Sequence, residues 1–235
     1  MNNESIILLT TAASIGFFHT LMGPDHYLPF VMIARARKWT MLKTGWITFL
    51  CGLGHVLSSV VLGIVGMLLA VAVFELETIE SYRGDFAAWM LIIFGLSYFV
   101  WGIHRIYRGK ASHSHLFGSH KHQYHDHDHH HDHISDHHHA KKETTPWVLF
   151  IIFVLGPCEP LIPLLMYPAA RNSITDLFMV TSVFGVVTIG TMLSIVILSV
   201  KGLSKIRSDR FEKFVHPISG LTIFFCGIAI KFLGL

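Results

Sequence analysis

The chain has 235 residues, 52% of them hydrophobic and 14% charged, with a mean hydropathy of +0.53, whereas a soluble domain carries about 25% charged residues. A soluble globular class is thereby excluded, and a net charge of +3 is too small to argue for a nucleic-acid partner. The three cysteines, Cys51, Cys158 and Cys226, lie in apolar segments without CxxC spacing, which indicates neither a disulfide framework nor a zinc knuckle.

Six membrane spans are predicted, because a bilayer crossing takes about 20 consecutive apolar residues. In chain order they cover roughly Ser5–Ile33, Leu42–Phe74, Phe86–Tyr107, Pro146–Ala170, Leu177–Lys201 and Phe211–Leu235. The N-terminus lacks the basic region of a secretory signal and carries Glu4 instead, so the first span reads as a retained helix. All basic residues except Arg83, Arg171 and Lys231 fall in the loops after the first, third and fifth spans. The second loop, with Glu75, Glu77, Glu80 and Asp85, is acidic. Positive charge in alternate loops predicts that those loops face the cytoplasm and that both termini lie outside. The expectation is a multi-pass protein of a bacterial inner membrane, with the lipid bilayer as its surroundings.

The fold class predicted is an all-α polytopic membrane protein whose six transmembrane helices form two inverted three-helix repeats. Gly23-Pro24-Asp25-His26-Tyr27-Leu28-Pro29 in the first span reads against Gly156-Pro157-Cys158-Glu159-Pro160-Leu161-Ile162-Pro163 in the fourth. Equal steps onward from the two glycines reach His55 and Thr188 in Gly-rich second helices. An odd number of spans per unit inverts the second unit, and Gly/Pro-interrupted helices at matching positions point to a transporter site near the midplane. The domain reading is residues 1–107 for the first repeat, 108–145 for a His-rich loop and 146–235 for the second repeat.

Candidate metal ligands are His19, Asp25, His26, His55, Cys158 and Glu159. His19 and His26 are seven apart and share a helix face, and Pro24 breaks the turn before Asp25 by removing an N–H. Ionisable residues at membrane depth are costly and mark function; the bland alternative is a hydrogen-bonded His–Asp pair with no ligand. His55 sits mid-span beside Gly52 and Gly54 and is either a ligand or a packing residue. Cys158, alone, is either a ligand or an inert thiol, whereas a lone Glu159 in hydrocarbon needs a partner. Imidazole, carboxylate and thiolate together suit nickel, cobalt, zinc or iron rather than magnesium or calcium. The segment 113–139 holds 13 histidines alternating with Asp126, Asp128, Asp132 and Asp136. It reads as a disordered cytoplasmic metal-collecting tract, dispensable for the path itself.

His19-x5-Asp25-His26, Gly52–His55 and Gly156–Pro163 resemble the UreH-like membrane proteins, a group related to the NiCoT-type nickel/cobalt transporters and the TauE/LysE-like superfamily. The resemblance spans the chain outside the His-rich loop. It implies a carrier of Ni2+ or Co2+, with Zn2+ a further candidate, built from two inverted units. The chain departs from the NiCoT signature, which has four residues between His and Asp-His where this chain has five. The His-rich loop is similar to that of nickel/cobalt efflux proteins, which implies export over uptake. The expected partners are the divalent metal ion as substrate and a homo-oligomeric copy or a metallochaperone, with no prosthetic cofactor.

Four other readings are weighed. A thiol-redox conduit of the CcdA/DsbD type needs one cysteine from each repeat, and the position matching Cys158 in the first repeat is Asp25. An anion exporter of the TauE type, for sulfite or an organosulfonate, is disfavoured by Asp25 and Glu159, which repel a neighbouring anion. A membrane accessory protein that delivers metal to a metalloenzyme without moving it across the bilayer stays open. An enzyme is not expected: no HExxH, nucleophile elbow or phosphate loop is present, although His and Asp around an intramembrane zinc ion could also activate water.

Overall fold

A computed structural model of the chain describes residues 3–69, 73–111, 144–170, 173–205 and 209–234. The His-rich tract 113–139 lies outside them. All regular structure among the described residues is helical: α1 Asn3–Met22, α2 Leu28–Ala36, α3 Met41–Leu68, α4 Val73–Ala111, α5 Thr145–Leu155, α6 Leu161–Ala170, α7 Ile174–Ser204 and α8 Asp209–Leu233. A single 3-10 turn, Pro24–His26, joins α1 to α2.

Five of these helices, α1, α3, α4, α7 and α8, are long and apolar enough to cross a membrane. Helix α5 is apolar but has only 11 residues, about 16 Å at 1.5 Å per residue, so it reaches roughly halfway through a 30 Å core. The fourth predicted span is thus α5 and α6 in series around a break. The surface is apolar, with Val186 72% and Leu198 69% exposed, while Thr48, Ser59, Glu80 and Thr188 are fully buried. Apolar groups outside and polar groups inside suit a lipid surround. The protein is an all-α, multi-pass membrane protein.

Both breaks follow from proline. The residue before proline is pushed out of the right-handed helical region, and Gly23 and Gly156, each preceding a proline, are extended at φ −86°, ψ 96° and φ −62°, ψ 140°. Pro29 and Pro146 then sit in the first turns of α2 and α5, where a missing N–H costs nothing.

The two units pack reciprocally. α1 lies on α7 and α5 on α3; α2 meets α7 and α8, while α6 meets α3 and α4; α3 crosses α7 and α4 crosses α8. In the α3–α7 crossing, Gly52 faces Ile189 and Gly185 faces Val56. In the α4–α8 crossing, a Cβ on Gly95 would stand 2.7 Å from Phe224 Cα, and one on Gly220 2.6 Å from Phe99 Cα. In both pairs the later residue of one helix meets the earlier residue of the other, so the partners run antiparallel, as inverted repeats require. Only glycine lets the α4 and α8 backbones come this close.

One predicted boundary is corrected. The third span does not begin at Phe86: α4 starts at Val73, and Glu75, Glu77, Glu80 and Asp85, read as an acidic loop, are helical. Glu80 and Asp85 are accommodated by pairing with Arg83 at 2.8 Å and with Lys231 of α8 at 2.6 Å, and Glu75 and Glu77 are exposed. The α4 helix also continues to Ala111, past the predicted edge at 107.

Candidate metal centre

The break after α1 turns three histidines toward one point. His19 belongs to the last turn of α1, His26 to the 3-10 turn, and His55 to the middle of α3. One ring nitrogen from each lies within 4.8 Å of the others. The rings are edge-on, with centroids 4.8 Å apart for His19 and His26 and 5.1 Å for His26 and His55. Around an ion with 2.0–2.1 Å bonds, tetrahedral ligand nitrogens stand about 3.4 Å apart, so small side-chain rotations would draw these three onto one ion.

Hydrogen bonds fix the form of two rings. His26 Nδ1 lies 3.1 Å from Asp25 Oδ1 and 3.2 Å from the Gly23 carbonyl. Both partners accept, so Nδ1 carries the proton. His55 Nδ1 donates to the Phe153 carbonyl at 3.3 Å. With Nδ1 protonated, a neutral ring keeps its lone pair on Nε2. Nε2 of His19, His26 and His55 is buried in each case with no partner. Three buried orphan nitrogens beside one another are unusual, since buried polar atoms are nearly always satisfied. They fit a bound cation, with Asp25 and the carbonyls as the supports that orient the ligands.

The histidines line a cavity of ≈ 780 Å³ that also includes Asp25, Gly156, Pro157, Glu159, Asp85 and Lys231. Its lining reaches Ser81, Asp85 and Gly234, at the end of the bundle where α4 starts and α8 finishes, and also the exposed Phe18 and Met22 of α1. Of the six residues predicted from sequence, His19, His26 and His55 come together, Asp25 bonds His26 Nδ1 beside them, and Glu159 lies on the cavity wall without joining the cluster. Cys158 is placed elsewhere: it is fully buried among Leu161, Leu165 and Phe184 and is absent from the cavity lining. The structure thus places Cys158 apart from the histidines: at a broken turn, neighbouring residues point apart, and Cys158 faces the core where Glu159 faces the cavity.

Sequence reasoning missed Glu80, Ser58 and Arg83. Arg83 donates to Glu80, to Ser58 and to the Val154 carbonyl. The available signal was the Glu-x-x-Arg spacing of a helical pair directly before an apolar run.

The family model for the cytochrome c biogenesis protein transmembrane region matches residues 27–229. The chain belongs to this family. The resemblance to UreH-like, NiCoT and TauE/LysE-like proteins is corrected by that match, which points to a different family. Comparison with curated proteins and with solved structures gives no match. All three cysteines of this chain are free and buried, Cys158 in one core cluster and Cys51 and Cys226 together in the other.

Proposed function

We propose that this member of the cytochrome c biogenesis transmembrane family binds a divalent transition-metal ion within the membrane and carries it across. The observation that supports this reading is the set of three buried, unpartnered Nε2 atoms at the base of an open cavity. Three neutral imidazoles suit Ni2+, Co2+ or Zn2+. Asp25 and Glu159 bring two carboxylates to the cavity, which draw a dication in from the mouth. Asp25 then stays on the Nδ1–H of His26, holding that ring while its Nε2 replaces a water of the ion. The open side of the cluster lets the ion keep water ligands and leave again.

Proteoliposomes loaded with a Co2+-sensitive dye test the proposal. Flux is expected with the native chain and its loss with His55→Ala; native chain that moves no Co2+, Ni2+ or Zn2+ overturns it. Ligands must be deprotonated to bind metal, so the transport is exchange of the ion for protons on Asp25, Glu159 and the histidines. Flux that ignores an imposed pH gradient rejects that exchange. Growth of cells in raised metal gives direction: protection means export and hypersensitivity means uptake. Metal binding without flux would favour delivery to a metalloenzyme instead.

A part in cytochrome c biogenesis, the process in the family's description, is the second reading. Family membership and Cys158 at the second break favour it. Thiol–disulfide exchange takes two sulfurs in reach of each other; Cys158 is in a different core cluster from Cys51 and Cys226, which share one. Cytochrome c maturation lost in Cys158→Ala with metal flux intact would favour this second role.

A further inference from the structure

The second break is held from outside its own unit. In an uninterrupted helix the N–H groups of residues 157 and 158 would bond the carbonyls of Phe153 and Val154. Pro157 has no N–H, and the chain leaves the helix at Gly156. Two side chains of the first unit reach these carbonyls: His55 Nδ1 donates at 3.3 Å to Phe153 O, which also accepts the Gly156 N–H at 3.2 Å, and Arg83 Nη2 donates to Val154 O at 2.9 Å. The same Nη2 lies 3.5 Å from Gly156 O and donates to Ser58 Oγ at 2.8 Å, while Ser58 Oγ donates to His55 O at 2.8 Å. Arg83 Nη1 donates to Glu80 Oε2 at 2.8 Å, and Glu80 is fully buried. Gly84 makes the reach possible, since a Cβ there would stand 2.8 Å from Pro157 Cγ.

We propose that Arg83 is a positioning residue for the metal centre: its guanidinium, oriented by Glu80, fixes both the α5 carbonyl end and the His55 turn, and so presents His55 Nε2 to the ion. A planar fork with several donors can bind a carboxylate, a hydroxyl and a carbonyl together, which a lysine ammonium does not reproduce. Arg83 thereby ties the conformation of the second unit to a ligand of the first. The inference rests on the metal-binding reading above.

The test uses the full chain in detergent with Co2+ as the probe, following affinity by titration and ligand number by the visible d–d bands. Arg83→Lys is expected to lower affinity by about 10–100-fold, the range for lost supports of a ligand, and to shift the bands toward fewer imidazoles. Arg83→Lys with native affinity and native bands overturns the inference while leaving the metal reading intact, whatever happens to its melting temperature. Should Arg83→Lys fail to fold, Glu80→Gln serves with the same readouts: a weaker site with altered bands supports the role, and native values reject it. Native chain that binds no Co2+ removes both the site and its positioning residue.

Discussion

His26 shows how much one side chain is asked to do. Its Nδ1–H is shared between Asp25 and Gly23, its ring sits between those of His19 and His55, and its Nε2 is buried without a partner. His26→Ala therefore removes a ligand and the ring between its two neighbours, and is expected to lower Co2+ affinity by at least about 100-fold in a titration of the detergent-solubilised chain, beyond the 10–100-fold typical of a support. Asp25→Asn keeps an acceptor but loses the charge, so a loss within about 10–100-fold is expected in the same titration. Cys158→Ala is expected to leave affinity within about twofold, because its sulfur faces the core and supports no ligand. The histidines and Asp25 were legible in the sequence because ionisable groups in an apolar run need a reason. The direction of Cys158 was not legible, because residue spacing gives direction only inside a regular helix, and Pro157 ends that regularity.

Helices α5 and α6 are individually too short to span, and their junction is where proline chemistry becomes function. Pro157→Ala would return an N–H that competes with His55 for the Phe153 carbonyl. A weaker Co2+ site, by about 10-fold as for a lost ligand support, is the expected outcome of titrating that variant. The α4–α8 seam depends on glycine in a different way. Gly220→Ala drives a methyl into the backbone at Phe99 and is expected to cost about 1–3 kcal/mol, the usual range for overpacking, seen as a lower midpoint in detergent unfolding. Gly190→Ala has nothing within 4 Å and is expected to be neutral or stabilising, since alanine is the better helix former. The sequence revealed the two breaks through their matching Gly-Pro pairs. It concealed the start of α4, because Glu80 and Asp85 look like loop residues until Arg83 and Lys231 are placed beside them.

Among the described residues, the cavity lining reaches the end of the bundle at Ser81, Asp85 and Gly234. Helices α3 and α7 are antiparallel, as are α4 and α8, and Ser5 at the start of α1 reaches Asp176 at the start of α7. The beginning of α1, the beginning of α4 and the end of α8 therefore share one end of the bundle, and the cavity reaches that end. A cysteine placed at Ser81 is expected to react with a membrane-impermeant maleimide only from the side on which an N-terminal epitope is detected. Labelling from the opposite side would mean that the cavity faces the other way. Deletion of 113–139, joined to the far end, is expected to shift the concentration dependence of flux in proteoliposomes and to leave its maximal rate unchanged. That segment was legible only as composition.

On the proposed carrier reading, the reciprocal glycine contacts suit exchange of form between the two halves. If α1–α4 took the backbone form of α5–α8 and the reverse, the cavity end at Asp85 and Lys231 would close and an equivalent one would open at the far end. Gly95 meets Phe224 and Gly220 meets Phe99 across the α4–α8 seam, with backbones too close to slide freely, so on the carrier reading spin labels flanking that seam are expected to keep their separation while labels beside Asp85 and Lys231 change theirs on adding metal.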